Sequence, residues 1–154
     1  MRALALPARL VPALAAATLF VATSTLTRTA LALRPEGVAL DAGDLIRAFA
    51  CGLAFDLTAA VCALTPFVLW LALAPDRVAR SPAYRAASIA WFFIASFAIF
   101  LTAAAEWLFW EEFGARFNFI AVDYLLYTHE VLVNIWQSYP AGRLLAALAL
   151  AAAA

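Results

Sequence analysis

Three long apolar runs, separated by short polar segments, constrain this chain more than any other feature. They cover residues 10–33, 45–74 and 86–110. At ~1.5 Å of rise per residue, a helix of such length crosses the ~30 Å hydrocarbon core of a bilayer. Hydrophobic residues make up 68% of the chain and charged residues 13%, a balance far from that of a soluble domain. The sequence therefore predicts an all-α integral membrane protein, a helical bundle with three full spans.

The first apolar run has a second interpretation. Ala30, Leu31 and Ala32 resemble the small-residue cleavage site of a secretory signal peptide. The apolar core of such a peptide is usually about 7 to 15 residues long, and this run is longer. We therefore favour an uncleaved span over a signal peptide.

The chain changes character after Trp110. Residues 111–140 are apolar in part, but Asp123, His129 and Glu130 interrupt them, and burying each of these groups in a bilayer costs a few kcal/mol. We expect an outer interfacial helix here, with one face toward lipid and the other toward water. Residues 141–154 contain an apolar run from Leu144 to Ala154 that is too short to cross. We favour a truncated fourth span over a short half-helix. The predicted units are thus a membrane bundle (1–110), an extracytoplasmic helical segment (111–140) and the start of a fourth span (141–154).

The charge pattern bears on orientation and on partners. All ten basic residues are Arg, ten acidic residues balance them, and no basic run stands out, which argues against a nucleic-acid partner. Five Arg residues crowd two short segments at residues 2–9 and 77–85, whereas the other five are diluted among acidic residues. Because basic loops favour the cytoplasmic side, we expect a cytoplasmic amino terminus.

Two carboxylates, Asp56 and Glu106, lie inside predicted spans, where a charge is expensive and usually faces a partner or a water-filled cavity. Measured from the outer ends of their helices, Asp56 is ~16 Å deep and Glu106 ~6 Å deep, so we do not expect them to pair. Thr23 and Ser24 are candidate hydrogen-bond partners of Asp56, and Arg28 is the candidate counter-ion of Glu106. These groups either join helices or take part in ion coupling or in handling a lipid substrate.

No catalytic or metal site is predicted within the chain. The sequence has no Ser-His-Asp set, nucleophile elbow, phosphate-binding loop or zinc-protease motif, and its one histidine, His129, has no matching ligand cluster. Cys51 and Cys62 are roughly 16 Å apart along one helix, which is too far for a disulfide. We therefore expect no cofactor in this chain.

Two segments carry a more specific pattern. The stretch from Glu111 to Pro140 reads EEF, RFNFIAVDYL, YT, EV, NI and SYP in order, and the second span contains Gly52, FDL at residues 55–57, and Pro66. Both are similar to the membrane region of bacterial lipoteichoic-acid-synthase-like proteins. These are phosphoglycerol transferases and sulfatase-type relatives in the alkaline phosphatase superfamily. The similarity covers most of residues 52–140.

The resemblance implies location in the bacterial inner membrane and five amino-terminal spans. It also implies an extracytoplasmic domain with a Thr nucleophile and a divalent metal, usually manganese. No residue of this chain corresponds to that domain, so no catalytic residue is carried over. The resemblance does imply an outer-surface helix on which such a domain rests, or where lipid head groups are handled. It assigns to that surface Arg116, Asn118, Asp123, Tyr124, Tyr127 and Glu130.

Three hypotheses about function remain open from the sequence. The first is the membrane-anchoring amino-terminal part of such a transferase, with membrane lipid as its partner. The second is a small transporter or channel subunit that uses Asp56 and Glu106 as a path for protons or cations. The third is a structural membrane partner of another protein.

Overall fold

The fold is described for residues 6–34, 41–118, 121–122, 126 and 128–154 in a computed structural model, with no side chains described for residues 6–8. Within these ranges every regular element is a helix, which confirms the all-α prediction. In chain order the helices are α1 (Leu6–Ala32), α2 (Ala42–Leu73), α3 (Asp76–Ala79), α4 (Pro82–Phe113), α5 (Thr128–Ser138) and α6 (Ala141–Ala153).

Three of these helices, α1, α2 and α4, are long and apolar enough to span a membrane. Their bounds lie within four residues of the three predicted runs, because capping or helix-breaking residues lie at the helix ends. The side chain of Asp41 caps α2 by accepting a hydrogen bond from the amide of Asp44 (2.8 Å). Ser81 caps α4 in the same way, through the amide of Tyr84 (3.2 Å). The multi-pass prediction is thus supported by the length and composition of the three helices.

Helix α1 is the centre of the bundle, since it packs against both α2 and α4. It is antiparallel to α2, because Arg9 near its start contacts Ala74 and Arg28 near its end contacts Asp56. It is parallel to α4, because Leu10 packs in one cluster with Tyr84 and Trp91. Both ends of the bundle therefore contain residues from all three long helices.

One end, beside α3, is built mainly from rings and is called the aromatic end below. Phe67 is only 1% exposed and packs with Ala13 and Leu71. Its ring stacks on Trp91 with 3.7 Å between centroids. Arg9 joins α1 to this end by donating to the carbonyl of Ala74 (2.8 Å) and by an ion pair with Asp76. The opposite end, formed by the carboxyl ends of α1 and α4 and the amino half of α2, is called the charged end.

The two short helices follow α4 in the chain. None of the eleven residues of α5 is buried, whereas α6 packs against α4 and buries Ala141. At ~1.5 Å per residue, the thirteen residues of α6 extend ~20 Å, which is shorter than a ~30 Å hydrocarbon core. The interfacial position of α5 and the truncation of a fourth span remain predictions.

Candidate functional site

The charged end brings together polar side chains from α1, α2, α4 and the segment after α4. Side chains on an α-helix tilt toward its amino terminus. Because α1 and α2 are antiparallel, Arg28 leans inward from the end of α1 while Asp56 leans outward from the interior of α2. The two side chains therefore meet, although their backbones lie at different depths.

The carboxylate of Asp56 has a partner on each oxygen. Arg28 donates through Nη2 to Oδ2 at 2.7 Å, and Ser24 donates through Oγ to Oδ1 at 2.7 Å. Arg28 is 6% exposed and Asp56 is 9% exposed, so both charges are buried. A buried charge is tolerated when it is paired and hydrogen-bonded, and this carboxylate meets both conditions. The predicted contact between Ser24 and Asp56 is confirmed, whereas Thr23 lines the neighbouring cleft instead.

Gly52 makes room for this ion pair. A Cβ atom at position 52 would lie 2.2 Å from Cζ and 2.4 Å from Nε of Arg28, well inside van der Waals contact. The guanidinium thus lies directly against the backbone of α2, one helical turn before Asp56. The ring of Phe49 covers it from another side, with 5.8 Å between Cζ and the ring centroid. A side chain at position 52 would push Arg28 away from Asp56.

Glu106 has a different partner from the one expected. It is 8% exposed, and its Oε1 accepts a hydrogen bond from Nε of Arg116. The expected pairing of Arg28 with Glu106 is wrong, because Arg28 is engaged by Asp56 on α2. The contact with Glu106 raises the pKa of Arg116 above its already high usual value, so this guanidinium stays charged.

Gly114 explains how Arg116 reaches Glu106. Its φ of +60° lies in the left-handed region that glycine adopts without strain, and its amide donates to the carbonyl of Trp110 at 2.8 Å. The helix therefore ends there and the chain turns back. This turn places a residue from outside α4 against a carboxylate nearly two helical turns inside it.

A cleft of about 430 Å³ separates α1 from α4 beside these ion pairs. Much of its lining is apolar, but Ser and Thr residues of α1 and α4 and the ion pair of Glu106 with Arg116 also line it. We call it the hydroxyl cleft. Its polar lining residues are Thr23, Ser24, Thr27, Thr102, Glu106 and Arg116.

A third ion pair lies nearer the surface of the charged end. Arg34 donates to Oε1 of Glu111 at 2.8 Å, and the indole Nε1 of Trp107 donates to the same oxygen at 3.0 Å. The guanidinium of Arg34 also lies 4.0 Å from the centroid of the Trp107 ring. This cluster joins the ends of α1 and α4 outside the buried pairs.

The other residues predicted from the sequence fall into two groups, those that the structure describes and those that it does not. Asn118 is exposed four residues after Gly114, and His129 and Glu130 are exposed on α5. Asp123, Tyr124 and Tyr127 lie outside the described residues. Among the residues that the structure describes, no three His, Cys, Asp or Glu side chains are grouped as a metal site, and Cys51 and Cys62 are both exposed and unbonded.

Comparison with known proteins adds no relative. The chain matches no protein-family model, no curated protein and no solved structure.

Proposed function

We propose that this chain is a rigid multi-pass anchor in the bacterial inner membrane, with a cytoplasmic amino terminus, that positions the segment after α4 at the outer face. The observation that carries the proposal is the ion pair between Glu106 and Arg116. It ties the start of the segment after α4 to the interior of the bundle. Arg116 also belongs to the stretch that resembles lipoteichoic-acid-synthase-like proteins.

The state of Asp56 supports anchoring over transport. A carboxylate in a proton or cation path must exchange its bound proton or ion with water. Asp56 is instead buried, with one oxygen bound by Arg28 and the other by Ser24. Release of Arg28 would leave an unpaired charge in an apolar region, at a cost of several kcal/mol. A fixed ion pair of this kind suits a static scaffold.

The resemblance extends the proposal to an activity. In this view the chain is the amino-terminal part of a phosphoglycerol transferase or a sulfatase-like hydrolase. The catalytic domain, with its Thr nucleophile and manganese, would lie outside residues 1–154. The bundle would hold that domain close to a lipid substrate at the outer face.

A flux assay separates anchor from transporter. The purified protein is reconstituted in liposomes, and proton and sodium movement is measured with fluorescent indicators against protein-free liposomes. We expect no movement above the empty control, for the natural chain or for Asp56→Asn. Ion movement that Asp56→Asn abolishes would overturn the proposal and favour a transporter.

The enzymatic part is tested on the product of the complete coding frame. We expect the frame to continue past Ala154 into a polar domain that transfers phosphoglycerol from a lipid or hydrolyses a sulfate ester. In that protein, Arg116→Ala should lower activity because it frees the segment after α4. Arg47→Ala, which changes an exposed Arg on α2, is the control. A frame that stops at Ala154 would remove the enzymatic part and leave the anchor.

A further inference from the structure

The hydroxyl cleft has a donor and acceptor pattern that anchoring does not explain. Thr27 donates its hydroxyl proton to the carbonyl of Thr23 (2.9 Å), and Thr102 donates to the carbonyl of Ala98 (2.8 Å). Ser24 donates its hydroxyl proton in the hydrogen bond to Oδ1 of Asp56. Because these three protons are committed, the hydroxyl oxygens can offer only lone pairs to a ligand. At these three positions the cleft wall therefore suits a ligand that brings several hydrogen-bond donors.

Two opposite charges lie side by side at one end of the same cleft. Arg116 contacts Oε1 of Glu106 through Nε alone, and a guanidinium has four further N–H donors on its two terminal nitrogens. A carboxylate has a second oxygen with its own lone pairs. Glu106 can thus bind a cation while Arg116 binds an anion, and the ion pair between them stays intact.

We propose that the hydroxyl cleft binds a small zwitterion that carries a primary ammonium close to an oxyanion, either free or as a lipid head group. The three N–H donors of the ammonium match Glu106 and the lone pairs of Thr27 and Thr102. The oxyanion matches the terminal nitrogens of Arg116. A volume of about 430 Å³ falls within the range of small-molecule sites.

Simpler ligands fit the cleft less well. A lone cation that approaches Glu106 meets the positive charge of Arg116, and a lone anion that approaches Arg116 meets the negative charge of Glu106. A ligand with both charges meets attraction at each position. This inference does not depend on the enzymatic role proposed above, since it uses only the bundle.

The first test compares head groups that differ in a single feature. Binding of O-phosphoethanolamine, phosphocholine and glycerol phosphate is measured by calorimetry on the purified protein in detergent. Phosphocholine keeps both charges but has no N–H donor, and glycerol phosphate lacks the cation. We expect O-phosphoethanolamine to bind at least tenfold more tightly than either, because about three charge-assisted hydrogen bonds depend on its ammonium. The inference is overturned if all three compounds bind equally, or if phosphocholine binds as tightly as O-phosphoethanolamine.

The second test distinguishes a free ligand from a lipid. Nanodiscs that contain equal amounts of phosphatidylethanolamine, phosphatidylcholine and phosphatidylglycerol are used, and the lipids retained after extraction are counted by native mass spectrometry. Selective retention of phosphatidylethanolamine assigns a lipid head group. Calorimetric binding without such retention assigns a free zwitterion. Absence of both results overturns the inference.

Conservative variants locate the site. Thr27→Val and Thr102→Val keep the side-chain shape but replace the hydroxyl group, which is the acceptor, with a methyl group. Each change should weaken binding roughly tenfold. Thr58→Val is the matched control, because Thr58 on α2 makes the same contact with its own helix, to the carbonyl of Ala54 (2.9 Å), away from the cleft. Unchanged binding in both cleft variants would overturn the assignment, while the flux and transferase results would stand unaffected.

Discussion

The two ends of the bundle join the same three helices by different means. At the aromatic end, Phe67 and Trp91 associate by close packing of rings. At the charged end, buried Arg28 and Asp56 associate by an ion pair. Lipid chains can replace apolar contacts, because they are as apolar as the side chains themselves, but they cannot neutralise a buried charge. The difference teaches that the charged end specifies which helices associate, while the aromatic end refines how closely they fit.

The largest effect is expected from unpairing the charged end. Asp56→Ala leaves Arg28 buried without a counter-ion and should lower the free energy of unfolding by about 3–5 kcal/mol. Replacement of both residues in Arg28→Met/Asp56→Leu should recover most of that loss, because no unpaired charge remains. The free energy of unfolding of both variants is measured by detergent-denaturant titration in mixed micelles. Asp44→Ala, at the exposed start of α2, is the control. Equal losses in the single and double variants would show that pairing does not matter.

A second prediction tests whether Gly52 serves the ion pair. In Gly52→Ala the new methyl group displaces the guanidinium of Arg28, and we expect a loss of about 1–3 kcal/mol from this overpacking. Gly142→Ala is the control, because its nearest neighbouring atom, on Trp136, is 3.8 Å away. In an Arg28→Ala/Asp56→Ala background the Gly52→Ala change should become neutral or stabilising. An unchanged loss in that background would contradict the role given to Gly52.

A third prediction sharpens the contrast from the aromatic end. Phe67→Ala should cost about 1–2 kcal/mol, less than the roughly 3–5 kcal/mol of a soluble core. The reason is that the ring contacts lipid instead of water when the helices are separated, so burying it against other helices gains less free energy. Phe55→Ala, on the same helix but 76% exposed, should have little effect. The same micelle titration applies. A loss as large as that of Asp56→Ala would remove the distinction between the two ends.

The smallest effect is expected from the ion pair at the aromatic end. The side chain of Asp76 is 46% exposed, so Asp76→Asn should cost at most about 1 kcal/mol. Added salt should reduce the difference further, since an exposed pair is screened. The difference in free energy of unfolding between the natural chain and Asp76→Asn is measured at low and at high ionic strength. A salt-independent loss comparable to that of Asp56→Ala would show that burial does not determine how much an ion pair contributes to the free energy of unfolding.

The helices themselves were predictable because their signals are local. Each apolar run is bounded by residues such as Asp41, Pro75 and Ser81, which hydrate or cap a helix end. Asp56 and Glu106 stood out for a similar reason, since a carboxylate within an apolar run needs a partner wherever the helices pack. Depth alone gives both Thr23 and Ser24 as candidate partners of Asp56 and does not separate the two.

The partners of Arg28 and Glu106 required information that the sequence does not hold locally. Sequence spacing gives depth along a helix but not the rotation of one helix toward another, so Arg28 matched Glu106 in depth while it faces α2. Arg116 was assigned only to the outer surface. Gly114 was the available signal, because a glycine just after a helix can turn the chain back. Gly52, one turn before Asp56, was a second signal for a close approach.

The contact between Arg28 and Asp56 also has a consequence for biogenesis. The ribosome completes α1 before α2, and the two charges are 28 residues apart in the chain. On its own, α1 would expose an Arg to lipid, which opposes release from the protein-conducting channel by up to about 2.5–3.5 kcal/mol. This penalty falls once Asp56 has emerged and can pair with Arg28. The first two helices are therefore expected to partition into lipid together, as a preassembled hairpin.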